Sequence, residues 1–324
     1  MVDDDDEEEI STTGHESPSE LKRIDSIQFG LYEIDSWYWS PYLDDDQTTT
    51  KLYICEYCLR YFKYKKNYEQ HTTNGCTRYQ PPGRKIYEHP NGLSVFEVDG
   101  QTAQLYCQCL CLLAKLFLDR KTIYFDVEGF LFYVLAKLDD NKRNTYHLLG
   151  YFSKEKFSDE GYNLACLMVL PPHQRQGYGK FLIALSYELT RLEKKTGSPE
   201  KPLSNLGQIG YKSYFHSTIL AKLKSYINSK MNITIGQLSE ETGICIDDVV
   251  QSLIDLQISY TNLNNEQREE PHVKKKTIHK QRDDNNNISS FIIVDSDNVV
   301  NLSENNHEKN LFDANYLRLI GHRR

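Results

Sequence analysis

A glycine-rich loop between two apolar segments is the feature that most limits how this chain folds. Residues 163–170, NLACLMVL, form an apolar run of strand length, which predicts a central strand. The loop QRQGYGK follows at 174–180. Beyond the loop, apolar side chains mark one face of a helix that stops at Gly197: Phe181, Leu182, Leu185, Leu189 and Leu192. A helix that begins on such a loop brings free backbone N–H groups and the positive end of its dipole together, which predicts a phosphate site.

The loop does not match two common nucleotide-binding patterns. A dinucleotide fingerprint requires a third glycine where this chain has Leu182. A Walker loop requires glycine at Gln174 and a serine or threonine at Phe181. What remains is a Gln-x-x-Gly-x-Gly loop to which Arg175 and Lys180 add positive charge. Short glycine-rich turns also occur simply to cap a helix, so the loop alone leaves both interpretations open.

Four residues upstream have the spacing of zinc ligands. Cys55 and Cys58 are separated by two residues, His71 follows after twelve more, and Cys76 after a further four. This spacing predicts a closed, tetrahedral Cys-Cys-His-Cys site, and four protein ligands indicate a structural rather than a catalytic metal. The alternative is four unrelated buried residues. Eight cysteines without a secretory signal also favour reduced thiols or metal ligands over disulfides.

Charge and hydropathy exclude several classes of protein. The formal net charge of −8 argues against a general nucleic-acid coat. No segment approaches the roughly 18 apolar residues of a membrane span, and the acidic run DDDDEEE at 3–9 is unlike a signal peptide. That run predicts a disordered tail, and the polar, Asn-rich residues 262–288 predict an insertion or long loop. We therefore expect a soluble, intracellular protein.

Hydrophobic periodicity predicts the other elements. Residues 104–118 have apolar side chains at helical spacing and predict a core helix through Leu105, Cys109, Leu112, Leu113 and Leu116. Residues 129–153 predict two strands around a polar turn, and 93–98 a shorter strand. Residues 233–258 predict two helices with a turn at Thr242 and Gly243; with a strand in 289–296 they suggest a winged-helix unit.

Several of these segments resemble the MYST family of lysine acetyltransferases. The resemblance is carried by FGLYEIDSWYWSPY, LYICEYCLRY, PPGRKIYEHPNGLSVFEVDG, CQCLCLLAKLFLDRKTIYFDVEGFLFYVL, YNLACLMVLPPHQRQGYGKFLIALSYELTRLE and GSPEKPLSNLG, almost without gaps from about residue 25 to 225. Beyond 230, only the winged-helix pattern and the terminal DANYLRL are similar. The glycine loop itself resembles the pyrophosphate loop of acetyl-CoA-dependent N-acetyltransferases.

The resemblance implies an α+β fold with a GNAT-like acetyltransferase core and a mixed central sheet. The implied division is an acidic disordered tail at 1–24, a zinc-finger unit at 25–85, an acetyl-CoA-binding catalytic core at 86–228, and a C-terminal helix-turn-helix-like region at 229–324 that contains the 262–288 insertion.

The resemblance also assigns roles to individual residues. Glu200 matches the general base, Cys166 the active-site cysteine, and Lys121 a lysine that these enzymes acetylate on themselves. Acetyl-CoA is expected along and against the following residues: Leu167, Met168, Val169, Arg175, Gln176, Gly177, Tyr178, Gly179, Lys180 and Ser204. Cys166 either accepts the acetyl group as a thiolate or is a small hydrophobic residue of a strand. Gly129, His173 and Asn205 depart from the residues that are usual in the family.

The implied activity is acetyl transfer from acetyl-CoA to histone-tail lysines in nucleosomes, in the nucleus and within a multisubunit chromatin complex, with zinc as a structural metal. The nearest branch of the family acetylates nucleosomal histones. The alternative is a non-catalytic DNA-binding regulator that uses the zinc finger and the winged helix. The acidic composition and the presence of Cys166, Glu200 and the glycine loop argue against that alternative.

Overall fold

The structure is a computed structural model that describes residues 24–42, 49–142, 144–258, 261–262, 290–292, 299 and 312–317. The acidic tail expected at 1–24 lies outside the described residues, except for residue 24. The insertion expected at 262–288 also lies outside them, except for residue 262. Ile24, at the end of the expected tail, is already buried in the core.

The N-terminal unit is a small four-stranded sheet with a short helix. Strand β1 (Ser26–Phe29) turns at Gly30 into the antiparallel β2 (Tyr32–Asp35), and the two strands form a hairpin. Strand β3 (Lys51–Ile54) runs parallel to β1, and β4 (Tyr61–Phe62) closes the sheet in the order β2-β1-β3-β4. Helix α1 (Lys65–Gln70) continues into a π-helical turn at His71–Gly75.

The central sheet has five strands in the order β10-β8-β7-β6-β5 and is antiparallel throughout. Its strands are β5 (Arg84–Glu88), β6 (Leu93–Asp99), β7 (Phe130–Leu138), β8 (Tyr146–Glu155) and β10 (Cys166–Val169). The predicted strands at 93–98 and within 129–153 are thus confirmed. Among the described residues of this core, parallel pairing occurs beside the central sheet, where β9 (Tyr162–Leu164) pairs with β11 (Ser198–Pro199).

The central strand predicted at 163–170 is wrong in two respects. The segment divides at Ala165 into β9 and β10, which belong to different sheets, and β10 lies at an edge of the central sheet. The run is apolar because both faces of β10 are covered. Met168 packs into the cluster that contains helix α2 (Gln104–Lys115), and Val169 packs into the cluster that contains helix α3 (Tyr178–Leu192). An apolar run therefore reports two covered faces and does not distinguish an edge strand from a central one.

Helices α2 and α3 pack their apolar faces into two different core clusters, which lie on opposite faces of the central sheet. Two leucines assigned to those faces are exposed instead. Leu105 is 58% exposed because Tyr106 and Cys107 occupy the core in the first turn of α2, and Leu192 is 51% exposed at the end of α3. Helix α3 also ends at Leu192 rather than at Gly197.

The C-terminal region begins with a long helix, α4 (Asn205–Asn228), whose Tyr211, Tyr214 and Phe215 share a core cluster with Tyr187 of α3. Helices α5 (Ile235–Thr242) and α6 (Ile246–Asp255) follow with Gly243 in a left-handed turn, which confirms the predicted helix-turn-helix. Strands β12 (Ile233–Thr234), β13 (Thr261–Asn262) and β14 (Ser290–Ile292) form a sheet in the order β12-β14-β13, so the strand predicted within 289–296 is present. None of the helices in the described ranges has the length and hydropathy needed to cross a membrane.

Candidate functional site

The four predicted zinc ligands converge. The ligand atoms of Cys55, Cys58, His71 and Cys76 all lie within 4.8 Å of one another. The knuckle between β3 and β4 supplies Cys55 and Cys58, and the π-helical turn supplies His71 and is followed by Cys76. A turn of this kind brings residues five apart onto one side, and the Cys76 N–H donates to the His71 carbonyl at 2.6 Å.

The distances within the cluster fit a tetrahedral zinc ion. Thiolates about 2.3 Å from a tetrahedral zinc lie about 3.8 Å apart, and the Sγ atoms of Cys55 and Cys76 are separated by 3.7 Å. This separation is far too long for a disulfide of about 2.0 Å. Cys58 Sγ lies 3.2 Å from His71 Nε2. A hydrogen bond from Cys55 lowers the pKa of Cys58 to about 5, which favours the thiolate that a zinc ion requires.

A histidine not assigned from the sequence joins the zinc unit to the central sheet. His147 on β8 contacts Glu56 of the knuckle through Nδ1 at 2.8 Å and Asp139 through Nε2 at 3.2 Å. Burial lowers the pKa of His147, but the two carboxylates outweigh burial and raise it above its usual value. Glu56 lies 91 residues before His147, and the three residues form no motif, so the fold brings them together.

The glycine loop has the geometry of an anion site. Gly177 is the residue before α3 and has φ +87°, a left-handed conformation that favours glycine, and no side chain caps the first turn. A Cβ added to Gly179 would meet no atom within 4 Å, so the space above the first turn is open. The Gln174 side chain donates to the Val169 carbonyl at 2.9 Å and ties the loop to the end of β10. The N–H groups of the first helical turn therefore face an open surface.

Strand β10 ends close to this loop, and one of its edges is unpaired among the described residues. Among the described residues it pairs only with β8, from Cys166 opposite Ser153 to Val169 opposite Gly150. The backbone groups of Leu167 and its neighbours on the other edge are available to an extended ligand. Cys166 and Leu167 are half-buried, while Met168 and Val169 are buried.

Lys121 is a buried lysine in contact with Cys166. The residue is only 7% exposed, and its Nζ lies 3.6 Å from Cys166 Sγ. Burial lowers the pKa of Lys121, but the thiols of Cys166 and Cys111 outweigh burial and raise it. Cys111 is one of three cysteines of α2, with Cys107 and Cys109; all three are buried, and Cys111 also contacts the lysine.

Glu200 follows β11 and is brought to the same place by the pairing of β11 with β9. Its backbone N–H donates to the Leu164 carbonyl at 2.9 Å, two residues before Cys166. Partial burial raises the pKa of the Glu200 carboxyl, the negative charge of Glu155 raises it further, and Lys121 lowers it, with a net rise. The residue as a whole remains exposed to solvent. Glu200, Cys166 and Lys121 thus form one cluster, although 79 residues separate the first from the last in the sequence.

The structure also gives the local contacts of four other residues that the sequence singles out. Ser204 caps α4, with its Oγ accepting a hydrogen bond from the Gly207 N–H at 3.1 Å, and Asn205 is the first helical residue. His173 precedes the glycine loop and contacts Tyr32 edge-on at a ring distance of 5.3 Å; burial lowers its pKa. Gly129 has open space at its Cβ position and contributes no contact there.

Asp248, which no motif singled out, also belongs to the surroundings of Glu200. Its carboxylate accepts hydrogen bonds from Ser198 and Lys201, which flank Glu200 in the sequence. Asp248 lies in the C-terminal helix-turn-helix region, and sequence spacing carried no signal for it.

Comparison with known proteins identifies the family of the chain. Residues 80–299 match the model of the MOZ/SAS family, and residues 21–76 match the MYST family zinc finger domain. The histone acetyltransferase MOF of Drosophila melanogaster is 52% identical to this chain over 239 residues, which cover 74% of the chain and 28% of that protein.

Two other relatives give the same result. A histone acetyltransferase of the MYST family from Arabidopsis thaliana is 48% identical over 244 residues, which cover 75% of this chain and 53% of the relative. Human histone acetyltransferase KAT6A is 48% identical over 246 residues, which cover 76% of this chain and 12% of that protein. The matched region is therefore about half or less of each relative's length. Because the family model covers more than half of the chain, the chain belongs to the MOZ/SAS family, and its zinc unit is a MYST family zinc finger.

Proposed function

We propose that this protein is a lysine acetyltransferase that transfers the acetyl group of acetyl-CoA to ε-amines of histone tails. Membership of the MOZ/SAS family and the names of its relatives support this proposal. The observation that carries it is the convergence of Glu200, Cys166 and Lys121 at the start of an edge strand that leads to an uncapped helix N-terminus.

The donor site proposed here follows β10 and the glycine loop. The pyrophosphate of acetyl-CoA is held by the backbone N–H groups between Arg175 and Lys180, where the helix dipole favours negative charge. The extended arm of the donor lies along Leu167 to Val169, whose outer edge has backbone groups to pair with it. Ser204 borders the site. This arrangement directs the thioester toward Cys166.

Glu200 is the proposed general base. A free lysine has a pKa of about 10.4, so the substrate amine must lose a proton before it becomes a nucleophile. The Glu200 carboxylate takes that proton directly or through one water, and its raised pKa makes it a better base than an ordinary glutamate. The neutral amine then attacks the thioester carbonyl, and a backbone N–H beside Cys166 stabilises the oxyanion. The C–S bond breaks, and the leaving thiolate of CoA takes up the second amine proton to give the acetylated lysine and free CoA.

Cys166 has two possible roles in the proposed reaction. In a two-step transfer its thiolate accepts the acetyl group and passes it to lysine. In a direct transfer it is only a half-buried side chain next to the thioester. The Cys166→Ala variant separates these roles, because it retains a substantial fraction of turnover only if transfer is direct.

The proposed setting is chromatin in the nucleus. Histone tails and nucleosomes are the proposed substrates, and a multisubunit chromatin complex is the proposed partner. The names of the relatives support histone substrates. The division into a zinc unit at 25–85, a catalytic core at 86–228 and a C-terminal region at 229–324 remains part of the proposal.

Calorimetric titration with acetyl-CoA and an acetylation assay on reconstituted nucleosomes test this function. We expect saturable binding and acetylated histone lysines in site-resolved mass spectrometry. Gly179→Ala should weaken acetyl-CoA binding without lowering the melting temperature, because its Cβ enters open space at the phosphate position and touches no protein atom. Gly129→Ala, which also enters open space but lies outside the loop, is the matched control. A chain that binds DNA and shows no saturable acetyl-CoA site would contradict the proposal and favour the DNA-binding regulator.

A further inference from the structure

The segment that carries Glu200 is attached on both sides to one carboxylate of the C-terminal region. Ser198 Oγ donates to Oδ2 of Asp248 at 2.7 Å, and Lys201 Nζ donates to Oδ1 at 3.2 Å. Ser198 lies two residues before Glu200 and Lys201 one residue after it. One oxygen of the Asp248 carboxylate thus contacts the residue two positions before Glu200, and the other contacts the residue directly after it.

Backbone hydrogen bonds hold the same segment against the turn between α5 and α6. The Gly197 N–H donates to the Gly243 carbonyl at 2.9 Å, and the Cys245 N–H donates to the Gly197 carbonyl at 3.0 Å. Together they form a parallel bridge between Gly197 and Ile244. Three residues before Glu200, the chain is therefore already attached to the helix-turn-helix.

Asp248 is itself well fixed. It lies in the first turn of α6, where the helix dipole favours a negative charge, and its side chain is only 13% exposed. The Cys245 thiol donates to the same Oδ2 at 3.2 Å, and burial raises the pKa of that thiol to about 11, so it stays a neutral donor. Hydrogen bonds to an ionised acceptor are stronger than neutral ones. The carboxylate is therefore a rigid point of attachment.

Glu200 has its own fixed backbone contact on the opposite side. Its N–H bonds to the Leu164 carbonyl of β9, next to the strand that carries Cys166. With the Leu164 contact on one side and Asp248 on the other, the backbone at Glu200 has little freedom to turn. Both attachments together fix where the Glu200 backbone lies relative to Cys166.

We propose that Asp248 is a positioning residue that holds the proposed base, Glu200, in its catalytic orientation. This inference rests on the proposed acetyltransferase function. It gives the C-terminal helix-turn-helix region a role in catalysis that is independent of nucleic acid. General bases act only within hydrogen-bond reach of the proton, and misplacement by about 1 Å can cost about 100-fold in rate.

The test compares three variants of the full chain with a matched control. Asp248→Ala removes both side-chain attachments. Asp248→Asn retains an acceptor for Ser198 but loses the charge opposite Lys201. Ser198→Ala leaves Asp248 unchanged and removes only the hydrogen bond from the Ser198 hydroxyl. The control is Asp255→Ala on the same helix, whose carboxylate pairs with Lys212 of α4 at 2.8 Å and makes no contact with the Glu200 segment.

We expect kcat of Asp248→Ala to fall roughly 10-fold or more, with smaller losses for Asp248→Asn and Ser198→Ala. The KM for acetyl-CoA should stay within about twofold of wild type, because none of these contacts involves the glycine loop. Asp255→Ala should keep the wild-type kcat. The double variant of Asp248→Ala and Ser198→Ala should lose little more than Asp248→Ala alone, since both remove the same hydrogen bond.

A pH profile separates positioning from a general loss of stability. The pKa of Glu200 is raised by partial burial and by Glu155, and lowered by Lys121. If Asp248→Ala lets Glu200 turn toward solvent, that raised pKa falls, and the acid limb of kcat/KM moves to lower pH. The limb should not move in Asp255→Ala.

An unchanged kcat and an unmoved acid limb in both Asp248→Asn and Ser198→Ala would overturn the inference, whether or not Asp248→Ala folds. Ser198→Ala loses only one hydroxyl, so it tests the attachment without a change in the helix. The proposed function fails in a different way: the wild-type protein would then show no acetylation of nucleosomes at all.

Discussion

Gly150 provides a quantitative test of how β10 is held. A Cβ at this position in β8 would lie 2.4 Å from the Met168 carbonyl oxygen and 3.0 Å from the Val169 Cα. Ordinary van der Waals contact begins near 3.4 Å. Gly150→Ala must therefore move β10 away from β8 by about 1 Å, and such overpacking typically costs about 1–3 kcal/mol.

This displacement has two expected consequences. At roughly 2–4 °C per kcal/mol for a domain of this size, the melting temperature should fall by about 2–12 °C. Because β10 carries Cys166 and the proposed donor edge, kcat/KM for acetyl transfer should fall by up to about 100-fold. Differential scanning fluorimetry and initial-rate kinetics measure the two effects.

Gly129→Ala is the control for Gly150→Ala, because its Cβ would meet no atom within 4 Å. It should leave both the melting temperature and kcat/KM near wild type. Wild-type stability and activity in Gly150→Ala would refute the pairing of Val169 with Gly150 and the description of β10 as a packed edge strand.

Three further predictions concern the zinc unit and the proposed active site. The protein should contain one zinc per chain by metal analysis, and Cys76→Ser should abolish zinc binding and lower the melting temperature; a metal-free wild-type chain of unchanged stability would contradict this. Glu155→Gln should move the acid limb of kcat/KM to lower pH, because it removes a negative charge that raises the pKa of Glu200. An acid limb that stays in place or moves to higher pH would argue against this coupling. Incubation with acetyl-CoA should acetylate Lys121, which lies 3.6 Å from Cys166, and peptide mapping that finds it unmodified would count against self-acetylation.

Local patterns in the sequence were sufficient to predict the zinc ligands and most helices. Cys55, Cys58, His71 and Cys76 lie within 22 consecutive residues, so ligand spacing alone predicts their convergence. Helix α3 was also predicted from its apolar face, although its end at Leu192 was not. Helix ends depend on local caps and turns, which periodicity does not encode.

The arrangement of strands was harder to predict from the sequence, because strand pairing is decided by contacts between residues that are distant in the chain. The apolar run at 163–170 indicates burial but not position, and the structure divides it between an edge strand and a separate parallel pair. The role of Glu200 was implied only by family resemblance. Its neighbours Lys121 and Asp248 come from opposite directions in the chain, and no spacing rule relates them.

The rate of histone acetylation by Glu200→Gln on reconstituted nucleosomes tests directly whether Glu200 is the general base. The variant retains the shape of the side chain and removes the proton acceptor. We expect a loss of about 100-fold or more in turnover, with acetyl-CoA affinity within about twofold of wild type by calorimetry. Robust acetylation by Glu200→Gln would contradict the assignment of Glu200 as the base.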